Sequence, residues 1–158
     1  MNSYINRIGS IGEVLGLTVF VLCLSIVAFN YAHSEDKTTY TPTTELVWVE
    51  IPDSGGLEVS PVSGDSSKGE YISLLRFPAG LKTPVHTHTA SYIGIVVTGN
   101  MKHNVPGKSE TEKQLPPGSH YYIGGGVPHI SECMAGVECV LMVTQKDKVD
   151  FIVVEEGK

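Results

Sequence analysis

Residues 80–99 read GLKTPVHTHTASYIGIVVTG, and their reading decides the fold. SYIGIVVT (91–98) is rich in the β-branched and aromatic residues that suit a pleated, half-buried surface. In VHTHT, His86 and His88 are two apart, and residues i and i+2 of a strand project from one face. That spacing can set two imidazoles on one metal ion, although a solvated strand face also carries such pairs without any chemistry. Tyr92 keeps the same even parity, so in an unbulged strand its phenol points to the same side. Ile93, Ile95 and Val97 occupy the opposite face from Tyr92 and Val96. Both faces are thus apolar, as in a strand covered by a second sheet or by a partner subunit.

The same texture continues in both directions. LVWVEI (46–51), EYISLLRF (70–77), HYYI (120–123), ECVLMVT (138–144) and DFIVV (150–154) are short apolar segments separated by Gly, Pro, Ser and Asn. With weaker segments between them they imply about eight to ten short strands, an all-β sandwich or closed barrel. No helical segment stands out, and SGDSSKG (63–69) reads as a soft loop. Gly99-Asn100 and Ala135-Gly136 sit where tight hairpin turns are expected. A two-residue turn at Gly99-Asn100 sets residue 98 opposite 101 and 96 opposite 103; Val96 shares the parity of Tyr92, so His103 is directed into the barrel.

Five histidines, His86, His88, His103, His120 and His129, fall within residues 86–129. The frame Gly80, His86, His88, Tyr92, Gly99 resembles the first motif of the cupin superfamily. Gly118, Gly126 and His129 repeat the spacing of the second motif, with Gly124 in place of its usual proline and Cys133 in place of its usual asparagine. The resemblance covers nearly all of residues 46–154 and is strongest to small, often exported single-domain cupins. It implies a jelly-roll β-barrel, usually dimeric, with a metal at its centre. His86, His88 and His129 match the three histidine ligands, and Tyr92 stands at the usual glutamate position.

That replacement changes the expected chemistry. A divalent ion on three neutral imidazoles retains its full charge, so the site favours an anionic bidentate ligand such as an enolate, diketonate, carboxylate or catecholate. Iron there permits oxygen activation, and zinc with water can generate hydroxide near neutral pH. Manganese and nickel also tolerate imidazole. The candidate catalytic residues are Tyr92 and His103. Tyr92 reads as a hydrogen-bond donor to ligand or water, a weak ligand, or a space filler. His103 reads as a fourth ligand or proton-transfer group, or as a hydrogen-bonded interior residue or a rim residue; His120 reads as pocket-lining or structural, with ligation the lesser alternative. The functions this supports are a metal-dependent oxygenase acting on a small anionic or enolisable substrate, a non-catalytic small-molecule or metal-binding module, and an interaction role for a vestigial barrel.

The remaining features place the barrel in its surroundings. Val14–Ala32 (VLGLTVFVLCLSIVAFNYA) carries no charge, follows a leader whose only basic side chain is Arg7, and precedes a small-x-small pattern at Ala32-His33-Ser34. It reads as an export signal, or as an uncleaved anchor, since its length also suits a bilayer. It lacks the polar face of an amphipathic soluble helix. The expected organisation is therefore a signal or anchor at 1–34, a polar tether at 35–45 and a cupin-like barrel at 46–158. The barrel is expected to be periplasmic or secreted, or held outward on the membrane by that one segment. Cys133 and Cys139 flank MAGVE, and an oxidising compartment permits a bridge between them. The alternatives are a Cys133 sulfur facing the cavity and two buried thiols. With 11 Lys and Arg against 17 Asp and Glu there is no basic stripe, which excludes nucleic acid as a partner. The expected partners are a small-molecule ligand and a second copy of the chain.

Overall fold

The computed structural model describes residues 38–155, so the expected signal or anchor at 1–34 lies outside the described residues. A compact unit begins at Thr41, where Pro42 leads into a single 3-10 turn over Thr43–Glu45. Of the expected strand 46–51, only Val49–Glu50 (β1) is paired. The other strands are β2 (Glu58–Gly64), β3 (Tyr71–Phe77), β4 (His86–Thr87), β5 (Tyr92–Thr98), β6 (Met101–Asn104), β7 (Gln114–Leu115), β8 (His120–Ile123), β9 (Ile130–Cys133), β10 (Cys139–Gln145) and β11 (Ile152–Val153). No α-helix occurs among the described residues, and none of their segments is a helix long and apolar enough to cross a membrane.

Six strands form one antiparallel sheet in the order β1-β2-β3-β10-β5-β8. Strand β10 (CVLMVTQ) sits inside it and buries every second residue, the period-2 signature of a sheet with one face on the core. A second sheet, β7-β6-β9, is extended by the chain around residues 80–86, which runs antiparallel to 129–133. The backbone bonds Gly80 N–H to Cys133 O, Thr83 N–H to Ser131 O and the reciprocal pair between His86 and His129 define that junction. Strand β11 then pairs with the outer edge of β4. Tyr71, Phe77, Val96, Cys139, Leu141 and Val143 from the large sheet meet Met101 and Cys133 from the small one in a single core. Leu141, 1% exposed, is central enough that truncation to alanine would cost about 2–5 kcal/mol.

Both expected hairpins are corrections. Strand β5 does not pair with β6: Thr98 lies opposite Val140 of β10, and Met101 lies opposite Cys133 and Leu115. The chain instead crosses from one sheet to the other at Gly99-Asn100. Gly99 has φ +77°, and a Cβ there would lie 2.6 Å from Cys139 Sγ, so the crossing requires glycine. Ala135-Gly136 is likewise a crossing, from β9 in the small sheet to β10 in the large one. A disulfide joins Cys133 to Cys139 at that point and ties the two sheets together.

Candidate metal centre

The site is assembled where the two sheets face each other. His86 opens β4, His88 follows just beyond it, and His129 immediately precedes β9. The antiparallel bridge between His86 and His129 sets their rings side by side, with centroids 4.2 Å apart. The His88 ring lies 5.1 Å from that of His86 and 5.4 Å from that of His129. One ring nitrogen from each of the three falls within 4.8 Å of the others, and no carboxylate belongs to the group among the described residues.

Each ring is oriented from behind. The Nδ1–H of His86 donates to Pro84 O at 3.0 Å, that of His129 to Val127 O at 2.8 Å, and that of His88 to Asp150 O. A carbonyl only accepts, so these bonds assign the Nδ1–H tautomer to all three and leave each Nε2 with its lone pair as an acceptor. Backbone partners of this kind fix ligand orientation in metal sites. Burial pushes His86 down to about 4 and also lowers His129, which keeps both in the neutral, ligating form near pH 7. Three converging imidazole lone pairs suit a divalent ion such as zinc, iron, manganese or nickel.

Tyr92, 8% exposed, does point inward. Its hydroxyl lies 2.9 Å from Nε2 of His129 and 3.1 Å from Nε2 of His103. His103 Nδ1 lies 2.9 Å from Ser131 Oγ. Because His129 Nε2 can only accept, the bonds run in one direction: Ser131 donates to His103, His103 to Tyr92, and Tyr92 to His129. Burial lowers His103 to about 2 and holds the Tyr92 phenol well above its ordinary value, so the chain is neutral throughout. His103 therefore faces the interior as the sequence indicates, but through its place in β6 opposite Ser131 rather than through a hairpin with β5. His120 is exposed on the outer face opposite Ile95, which corrects the pocket-lining reading.

Four neighbours went unread in the sequence. Ser131 shares the parity of His129, a signal that was available. Tyr121 stacks on His103 with centroids 3.8 Å apart, in space left by Gly94 directly opposite it in the sheet. Phe151 stacks on His86 at 4.1 Å, and Asp150 accepts from His88; both lie far along the chain from their partners.

Two antiparallel sheets closed around an inward histidine cluster define a cupin. The chain belongs to the ChrR cupin-like domain family, whose model matches residues 36–148, more than half of its length. Among solved structures it is similar to the polyketide cyclase RemF from Streptomyces resistomycificus, with TM-score 0.63, 17% identity, and 77% of this chain and 89% of that one covered. It is also similar to an acetylacetone dioxygenase from Acinetobacter johnsonii, with TM-score 0.59, 17% identity, and 80% and 84% covered. A third likeness is to the Rhodobacter sphaeroides complex of SigE with the anti-sigma ChrR, with TM-score 0.52, 17% identity, and 66% and 51% covered. At these identities the likeness carries the fold and not the activity. No curated protein sequence matches the chain.

Proposed function

We propose that the protein holds one divalent ion on Nε2 of His86, His88 and His129 and uses it to bind a small anionic or enolisable molecule, on which it acts as an oxygenase. The observation that carries this reading is the locking of all three Nδ1–H groups onto backbone carbonyls, which leaves three lone pairs on one point. An ion bound there supplies Lewis acidity and, in the case of iron, reactivity toward dioxygen. The absence of a carboxylate from the group favours an anionic ligand, since the positive charge is not otherwise offset. Tyr92 supplies the polar contact: with His129 Nε2 committed to an ion, its hydroxyl proton is free for a ligand oxygen. His103, hydrogen-bonded to Tyr92 and Ser131, holds or passes that proton. The similarity in fold to an acetylacetone dioxygenase and a polyketide cyclase supports enolisable substrates by analogy.

The disulfide supports an oxidising compartment, in keeping with export by residues 1–34. The exposure of Ile93 and Val97 on the outer face of β5 supports association as a homodimer.

Plasma mass spectrometry on protein purified without chelators tests the site. Close to one equivalent of metal is expected in the wild type and in His120→Ala, and almost none in His86→Ala or His129→Ala. Near-stoichiometric iron followed by oxygen uptake with 1,3-diketones or enolisable acids would support the oxygenase reading. Metal without turnover would favour a binding module, and a wild-type chain that neither carries nor takes up metal would overturn both.

A further inference from the structure

Pro84 and Val127 each lie two residues before the histidine they orient, so His86 and His129 are set by their own loops. His88 is different. Its Nδ1–H donates to the carbonyl of Asp150, 62 residues further along the chain. The Asp150 carboxylate in turn accepts from the Thr89 N–H at 2.9 Å and from the Thr89 hydroxyl, so one residue grips the turn after β4 through three bonds. Beyond it, Phe151 covers the His86 ring, Ile152 and Val153 lie opposite Thr87 and His86, and Val154 N–H donates to Val85 O at 2.9 Å. Upstream, Val149 N–H is fastened to Ser66 O at 2.7 Å.

We propose that Asp150 is a positioning residue for the metal centre, and that residues 150–154 form a strap whose docking on β4 completes the site and whose release lets the ion and its ligand exchange. This rests on the metal reading above and adds a regulated third ligand to it. Residues 151–155 are all exposed, and the β11–β4 ladder is only two residues long. A segment that buries so little and is held by exposed backbone bonds opens at a small fraction of the global stability. Opening removes the hydrogen-bond partner of His88 Nδ1, the Asp150 carbonyl, and lifts Phe151 from His86. The His88 ring is then free to turn, while the other two histidines remain in place.

The test uses the full chain loaded with cobalt(II), with release to a chelator followed by loss of the visible absorption and amide exchange followed by mass spectrometry. In the metal-free protein, peptides covering 150–155 should exchange far faster than those covering β10, and cobalt should slow them. Asp150→Ala, which loses both contacts to Thr89, should release cobalt about ten-fold faster, and Asp150→Asn, which keeps an acceptor for the Thr89 N–H, should restore most of the difference. Val154→Pro removes the bond to Val85 without touching any site residue and should also speed release, with the metal-free melting temperature unchanged. A wild-type chain that takes up no cobalt overturns the metal reading together with this one. Wild-type uptake with Asp150→Ala and Val154→Pro releasing at the wild-type rate overturns the strap alone. So does exchange in 150–155 as slow as in β10.

Discussion

The Tyr92 hydroxyl donates to Nε2 of His129 across 2.9 Å, the same lone pair that an ion would use. The residue at the customary glutamate position therefore occupies a ligand atom rather than adding a charge to the site. Tyr92→Phe leaves both His129 Nε2 and the His103 Nε2–H without their partner in a buried setting, which should cost the metal-free protein about 1–3 kcal/mol. The loss should be smaller in the metal-loaded protein, where the ion takes over His129. Denaturant unfolding with and without metal measures both, and metal stoichiometry should stay at the wild-type value.

Gly94 should not tolerate a side chain. A Cβ there would stand 2.2 Å from Cζ of Tyr121, the ring that stacks on His103. Gly94→Ala should destabilise by about 1–3 kcal/mol through overpacking. Gly124→Ala, whose methyl would meet only Val127 Cγ2 at 3.5 Å, is the control and should change the unfolding midpoint little.

The disulfide closes a short loop, with the two cysteines six positions apart. Removing both sulfurs in Cys133→Ala/Cys139→Ala should cost about 2 kcal/mol through the entropy regained by the unfolded chain. Metal content should not fall, because neither sulfur belongs to the histidine group. Treating the wild type with reductant and repeating the denaturant titration should reproduce the loss.

Stability without metal should decrease on acidification. His86 and His103 are held neutral in the fold, at about 4 and about 2, whereas both take up a proton near 6.5 once unfolded. Below 6.5 the unfolded chain binds more protons, so the stability present at neutral pH is lost progressively as pH falls toward 4. Each of the two histidines contributes a slope of at most about 1.4 kcal/mol per pH unit in that window. Unfolding midpoints measured between pH 7.5 and pH 5 should decrease steadily, and a flat profile would contradict the buried, neutral assignment.

Local patterning in this chain made the all-β class legible, along with the strands 70–77, 91–98, 120–123 and 138–144; the strand face expected to be shared by His86, His88 and Tyr92 is instead broken by the turn between β4 and β5, and the three side chains meet across it. A period of two is a property of neighbouring residues, and it survives whatever the strand later pairs with. The histidine spacing and the proximity of Cys133 to Cys139 were readable for the same reason. The tertiary structure alone decided which strands pair. Gly99-Asn100 and Ala135-Gly136 have the composition of hairpin turns, yet a glycine-bearing turn between apolar runs serves equally to carry the chain from one sheet to another. Only the competition of β10 and β8 for the edges of β5 excludes the hairpin. The same holds for the partners of the site: Asp150 reaches His88, and Tyr121 reaches His103, by long-range register, which no local pattern encodes. Residue types were thus written locally, as were the carbonyls that orient His86 and His129, while the orientation of His88 was completed by the backbone that tertiary packing brought behind it.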